Sequence, residues 1–205
     1  MRYLVFLLPL AASAQVLNVT VLDYASVPPA TLAAAREVFT SIYRKAGGQV
    51  QWTVETRVWR PDQTVRLADV PGDIVLRICT EEMAKSLVRK ETILGYVQPS
   101  AERELARVAT VFYHRVEDLK AATGSTPAQV LGTALAHELG HLLLGKGAHS
   151  RAGIMRCPWD TQELRAIHRG QLVFDRRQSL TIVNSIAART GLTMAANAFA
   201  AGPGR

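Results

Sequence analysis

Three of the five histidines in this 205-residue chain fall between residues 137 and 149, and two of them enclose a glutamate in the run His137-Glu138-Leu139-Gly140-His141. On a helix, residues four apart point about 40° from each other on one face, so both imidazoles can reach a single ion. Glu138 projects to the neighbouring side. There its carboxylate can hold a water and take its proton without binding the ion itself. This is the chemistry of hydrolysis at a Zn2+ centre, with two ligands and a base in place and a third ligand still to be supplied. Two residues compete for that position. His149 follows Gly145, a residue able to turn the chain back at the end of a helix. Glu163 lies in the next helical pattern, Thr161 to His168, with Asp160 beside it as a more distant choice. Three histidines, or two histidines and a glutamate, both leave a fourth position to water, so coordination chemistry leaves the choice open.

The element that must hold these side chains starts at Thr126-Pro127-Ala128-Gln129. Thr126 suits an N-cap, Pro127 the first helical position, and Gln129 the reciprocal half of a capping box. From there Val130, Leu131, Leu135, Leu139, Leu142 and Leu143 leave hardly a charge except Glu138. A helix apolar almost all round is buried inside a domain. A histidine, a glutamate and a second histidine are costly to bury without partners, and a metal ion provides one.

Upstream, Val16 to Leu22 is rich in β-branched residues and reads as a strand. Pro28-Pro29 open a helix with Leu32, Ala35, Val38, Phe39, Ile42 and Tyr43 on its apolar stripe, stopped by Gly47-Gly48. Gln49 to Val58 alternates as a half-buried strand, with Val50, Trp52, Val54, Thr56 and Val58 on one side. Asp73 to Cys79 is apolar enough to be central in a sheet. Thr80 with Glu81 and Glu82 starts a short helix reaching about Arg89. Thr92 to Gln98, with Gly95 in its middle, and Arg107 to Tyr113 complete five strands. The expectation is an α+β fold: a twisted mixed five-stranded sheet with a backing helix, a buried zinc-site helix, and a small helical C-terminal part comprising Thr161 to His168 and Leu172 to Arg189.

At this length, with 48% hydrophobic residues, one well-buried domain is expected over residues 15–194. Residues 1–14 have the three parts of a secretory signal peptide: Arg2, an apolar run from Tyr3 to Leu10, and the small residues Ala12-Ser13-Ala14. They predict a secreted or periplasmic protein after cleavage near Ala14. No stretch reaches the ~20 residues of a membrane span, and residues 195–205 read as a flexible tail. The net charge is +7, but the basic residues are scattered singly (Arg36, Arg57, Arg77, Arg107, Arg165, Arg189), which implies a solvated basic surface and no nucleic-acid partner. Cys79 and Cys157 fit an oxidising compartment; the sequence leaves open whether they form a bridge.

The run from His137 through Gly145 and His149-Ser150 to Gly153-Ile154-Met155 resembles the metzincin zinc peptidases. Their pattern is an extended zinc helix, a glycine turn, a third histidine and a methionine in a tight turn under the metal. The resemblance implies a zincin-like fold, one catalytic Zn2+ held by His137, His141 and His149, and Glu138 as general base that passes the proton to the leaving amine. It implies a packing role for Met155. It also implies a peptide or protein substrate lying extended along an edge strand at Leu94, Gly95 and Tyr96. The spacing departs from the family: its glycine stands seven and its third histidine ten residues after the first histidine, whereas Gly145 and His149 stand eight and twelve after His137. No tyrosine follows Met155; Arg156-Cys157-Pro158 do. The expected protein is a secreted, monomeric zinc endopeptidase. The alternative is an exported zinc-binding protein whose site is structural or holds a peptide without cleaving it.

Overall fold

The computed structural model describes residues 15–60, 69–87, 94–97, 107–145 and 147–200. The expected signal peptide lies outside the described residues, as do Thr92, Ile93 and Gln98 at the ends of the expected fourth strand.

The β-branched segment Val16–Asp23 (β1) is second in a five-stranded sheet of order β2-β1-β3-β5-β4, in which β2 is Gln49–Thr56, β3 Ile74–Cys79, β4 Gly95–Val97 and β5 Val108–Phe112. β1 pairs in parallel with β2 and β3, β3 pairs in parallel with β5, and β4 alone runs antiparallel, along β5. Parallel neighbours need a crossover, and the helix α1 (Pro29–Lys45) supplies it between β1 and β2. Side chains alternate between two apolar layers, as the period of a strand requires. Leu17, Val19, Val21, Ile74, Leu76, Ile78, Ala109 and Val111 face one core. Leu22, Val75, Cys79, Val108 and Phe112 face another, with Met83 and Ala84 of the short helix α2 (Glu81–Leu87). This two-sided cover explains the continuous apolar run in β3. The strand expected over Gln49 to Val58 ends at Thr56, and of its apolar side only Val50 and Trp52 are buried; Val54 is 39% exposed, and Val58, past the strand's end, 77%.

After β5 come α3 (Tyr113–Thr123), α4 (Pro127–Leu144), α5 (Thr161–His168) and α6 (Arg176–Ala200). The last helix begins four residues later than Leu172, because Asp175 and Gln178 cap it reciprocally: Gln178 N donates to Asp175 Oδ1 (2.8 Å) and Asp175 N to Gln178 Oε1 (3.0 Å). Leu172 and Phe174 precede the helix as buried core residues. The tail expected from residue 195 is helical as far as Ala200, and residues 201–205 lie outside the described part. Among the described residues no helix is long and apolar enough to cross a membrane. The two cysteines stay apart: Cys79 is buried and free, Cys157 exposed and free. Burial pushes the Cys79 thiol up to about 12, so it acts as a packing group.

α4 is held against α1 at backbone distance. A Cβ added at Gly132 would lie 2.5 Å from the Ala35 carbonyl oxygen and 2.8 Å from Val38 Cβ. One turn further on, the buried Tyr43 hydroxyl donates to the Ala136 carbonyl at 2.9 Å. From α6, Arg189 Nη2 donates to Leu142 O at 2.8 Å, satisfying one of the carbonyls that a helix end leaves over. Gly132→Ala gains about 1 kcal/mol of helix propensity, but it must push two backbones apart. We expect a net loss of about 1–2 kcal/mol in urea-denaturation stability, because overpacking outweighs propensity.

Candidate metal centre

The start of α4 is fixed locally: Gln129 N donates to Thr126 Oγ1 (3.2 Å), and Thr126 N donates to Gln129 Oε1 (2.9 Å). The helix then runs buried along nearly its whole length to Leu144. Gly145 follows with φ 79° and Gly147 with φ 73°, conformations that strain any residue with a Cβ. With these two reversals the chain folds back and sets His149 beside the helix it has just left.

The three histidines converge. Their candidate ligand atoms all lie within 4.8 Å of one another, and the His137 and His141 Nε2 atoms are 3.0 Å apart. Ring centroids are 4.7 Å apart for His141 and His149, and 5.7 Å for His137 and His149. Zinc–nitrogen bonds of about 2.0–2.1 Å in a tetrahedron would put the nitrogens about 3.3 Å apart, a spacing the cluster reaches with small side-chain adjustments. His137 Nδ1 lies 2.6 Å from the Ile154 carbonyl oxygen. Because a carbonyl only accepts, Nδ1 carries the proton and Nε2 presents its lone pair to the cluster. Burial holds the His137 and His141 imidazoles down to about 4, with their histidine neighbours adding to the effect. Both are therefore neutral near pH 7, the form that binds metal.

Glu138 is 5% exposed, and its Oε2 is buried without a hydrogen-bond partner among the described residues. Burial pushes its carboxyl up to about 8. A nearby cation offsets the cost of burying such a group, so an orphaned carboxylate beside three convergent imidazoles fits a zinc ion. Its other oxygen faces bare backbone, since a Cβ on Gly95 would stand 2.7 Å from Glu138 Oε1. The floor is a tight turn at Gly153 (φ 80°), closed by Arg156 N donating to Gly153 O (3.0 Å) and Ser150 N to Met155 O (3.0 Å). Met155, fully buried, lies against α4 at Gly140, where an added Cβ would be 2.7 Å from Met155 Sδ and 3.0 Å from Phe174 Cε1.

The rival ligands are engaged elsewhere. Glu163, 2% exposed, turns back to cap its own helix by accepting from Asp160 N (3.3 Å), and it lies 3.4 Å from Arg156 Nε. Asp160 accepts from Gln162 N (2.8 Å) and pairs with Arg156 Nη2 (2.8 Å). The structure brings His149, and not Glu163 or Asp160, to the other two histidines. Of the expected substrate segment, Gly95 lies against Glu138, and the Leu94 carbonyl accepts from Phe112 N at 3.0 Å. Tyr96 stacks on Phe112 at 6.0 Å on the far face of the sheet. What this segment can offer an extended chain is therefore backbone, not the Tyr96 side chain. Trp159, expected with Leu164 and Ile167 as a core or covering residue of the short helix, lies before its start at Thr161; Gly140 and Gly147 carry roles that local pattern did not assign. A second glycine two residues after Gly145 was the available signal for the second reversal; the roles of Gly140 and Trp159 depend on tertiary contacts.

No family model and no curated protein sequence matches this chain. Among solved structures, the archaemetzincin of Methanopyrus kandleri superposes with a TM-score of 0.59 over 87% of this chain and 99% of its own, at 16% sequence identity. The fold is zincin-like.

Zinc analysis by atomic absorption after dialysis should give about one ion per wild-type chain, and far less in His149→Ala. Glu163→Ala should keep its zinc while losing about 0.5–2 kcal/mol of stability with the helix cap. Zinc lost only from the Glu163 variant would reverse the ligand choice.

Proposed function

We propose that this protein is a zinc-dependent peptidase, and the observation that carries the proposal is the buried carboxyl of Glu138, whose Oε2 has no hydrogen-bond partner among the described residues, beside three convergent histidines. His137, His141 and His149 would hold the ion. Bound zinc supplies a Lewis acid that polarises a peptide carbonyl and makes water a better nucleophile. Glu138, through its unpartnered oxygen, takes the proton of the attacking water and passes it to the amide nitrogen as the bond breaks. Its burial keeps competing water away and keeps the proton on that route. The approach is from the side of His149, the exposed member of the three. β4 ends the sheet, so its backbone can pair with a substrate strand and align the scissile carbonyl. In this reading Met155 and Phe174 act by packing, holding the helix at Gly140. Residues 1–14 support export, with the chain acting on peptides or proteins outside the cytoplasm as a monomer.

Glu138→Gln keeps the shape of the side chain and removes the base. Hydrolysis of a mixed fluorogenic peptide library should fall about 10²–10⁴-fold, with zinc content unchanged. A wild-type chain that holds zinc stoichiometrically yet cleaves nothing in such libraries would favour a structural or peptide-holding zinc site instead.

A further inference from the structure

His137 is the innermost of the three histidines, 8% exposed, and its orientation depends on one backbone oxygen. The Ile154 carbonyl has two lone pairs, and two side chains use them: His137 Nδ1 at 2.6 Å and Trp159 Nε1 at 3.0 Å. The Trp159 ring also stands at 90° to the His137 ring, with centroids 5.6 Å apart, so it borders the imidazole as well as sharing its acceptor.

The peptide unit carrying this oxygen joins Ile154 to Met155. The units on either side are tied elsewhere, Ile154 N to Val173 O (3.1 Å) and Met155 O to Ser150 N (3.0 Å). The central carbonyl takes its hydrogen bonds from His137 and Trp159. Trp159 is in turn fixed through its chain neighbours: Pro158 O accepts from Arg156 Nε (3.3 Å), and Asp160 caps α5 and pairs with Arg156. The indole is thus an anchored donor that can set the direction of the carbonyl, and through it the direction of the imidazole.

We propose that Trp159 is a positioning residue of the metal centre: by donating to the Ile154 carbonyl and bordering the His137 ring, it fixes the Nδ1–H tautomer and the angle at which His137 Nε2 meets the ion. The inference rests on the zinc reading given above and adds a residue to it. Outer partners of a ligating histidine commonly affect metal affinity by about 10–100-fold. Trp159 acts through a shared acceptor, which places its effect at the low end of that range.

The test compares wild type, Trp159→Phe, and the full chain carrying benzothienylalanine at position 159, an indole isostere with sulfur in place of the N–H. The second replacement preserves the ring and guards against a Phe variant that fails to fold. Zinc affinity is measured by competition with a chromophoric chelator. The His137 tautomer is read from long-range proton–nitrogen NMR spectra of the metal-free protein. Both variants should bind zinc about 10-fold more weakly and show loss of the pure Nδ1–H signature. Affinities within two-fold of wild type with an unchanged His137 spectrum would overturn the inference while leaving the zinc site standing. A wild-type chain that takes up no zinc would overturn the zinc reading and this inference with it.

Discussion

The constraint on which this structure depends is the burial of His137 and Glu138 on a helix that has almost no solvent-facing side. Burying two ionisable groups on an apolar helix is expensive. Here the cost is limited piece by piece: His137 donates a hydrogen bond from Nδ1 to the Ile154 carbonyl, burial keeps both helix imidazoles neutral, and burial pushes the Glu138 carboxyl up, which favours its uncharged form. Each neighbouring element is arranged to reach that helix closely. The turn at Gly153–Met155 exists where it does because its carbonyl must meet His137 and its sulfur must meet Gly140.

Close approach to α4 is made possible by the absence of side chains. Gly132 admits the backbone of α1, Gly140 admits Met155 and Phe174, and Gly95 of β4 leaves Glu138 the space a Cβ would fill. Gly132 and Gly140 are interior helical positions where glycine lowers intrinsic helix stability by about 1 kcal/mol each relative to alanine, so packing outweighs propensity at both. The sheet edge and the turn under the histidines are thereby fixed relative to one another through a single helix. That rigidity is what a hydrolytic site needs, since misplacing a reacting group by about 1 Å can cost on the order of 100-fold in rate.

Much of this arrangement was legible in the sequence where the signals are local. The α4 start, the α5 bounds, the five strands and the backing helix follow from caps, periodicity and breakers within a few residues of each element. The third ligand was not decided locally, because His149 and Glu163 offer equally good chemistry; what separates them is that Glu163 is committed to its own helix cap and to Arg156. The same pattern, a helix-start residue followed three later by an acidic one, marks Asp160 and Glu163 as a capping box, so that signal was present but weighed as coordination. The free state of the cysteines, the exposure of Val54 and the direction of Tyr96 depend on which layer covers which face, and strand periodicity alone does not state that.

The widened spacing of the motif follows from geometry once both changes are considered together. One more residue of helix turns the exit direction by about 100° and advances it by about 1.5 Å, which by itself would carry the following loop away from the helix face bearing His137 and His141. One more residue of loop, with positive φ at Gly147 as well as at Gly145, gives the chain a second reversal and returns His149 to that face. Arg189 from α6 donates to the Leu142 carbonyl near the helix end. Against the metzincin pattern the chain shows two departures in spacing, and the structure brings the three histidines together all the same. No family model or curated sequence matches the chain, while its fold is shared at 16% identity; what brings the three histidines together here is the path of the backbone through two glycine reversals, not a fixed residue count.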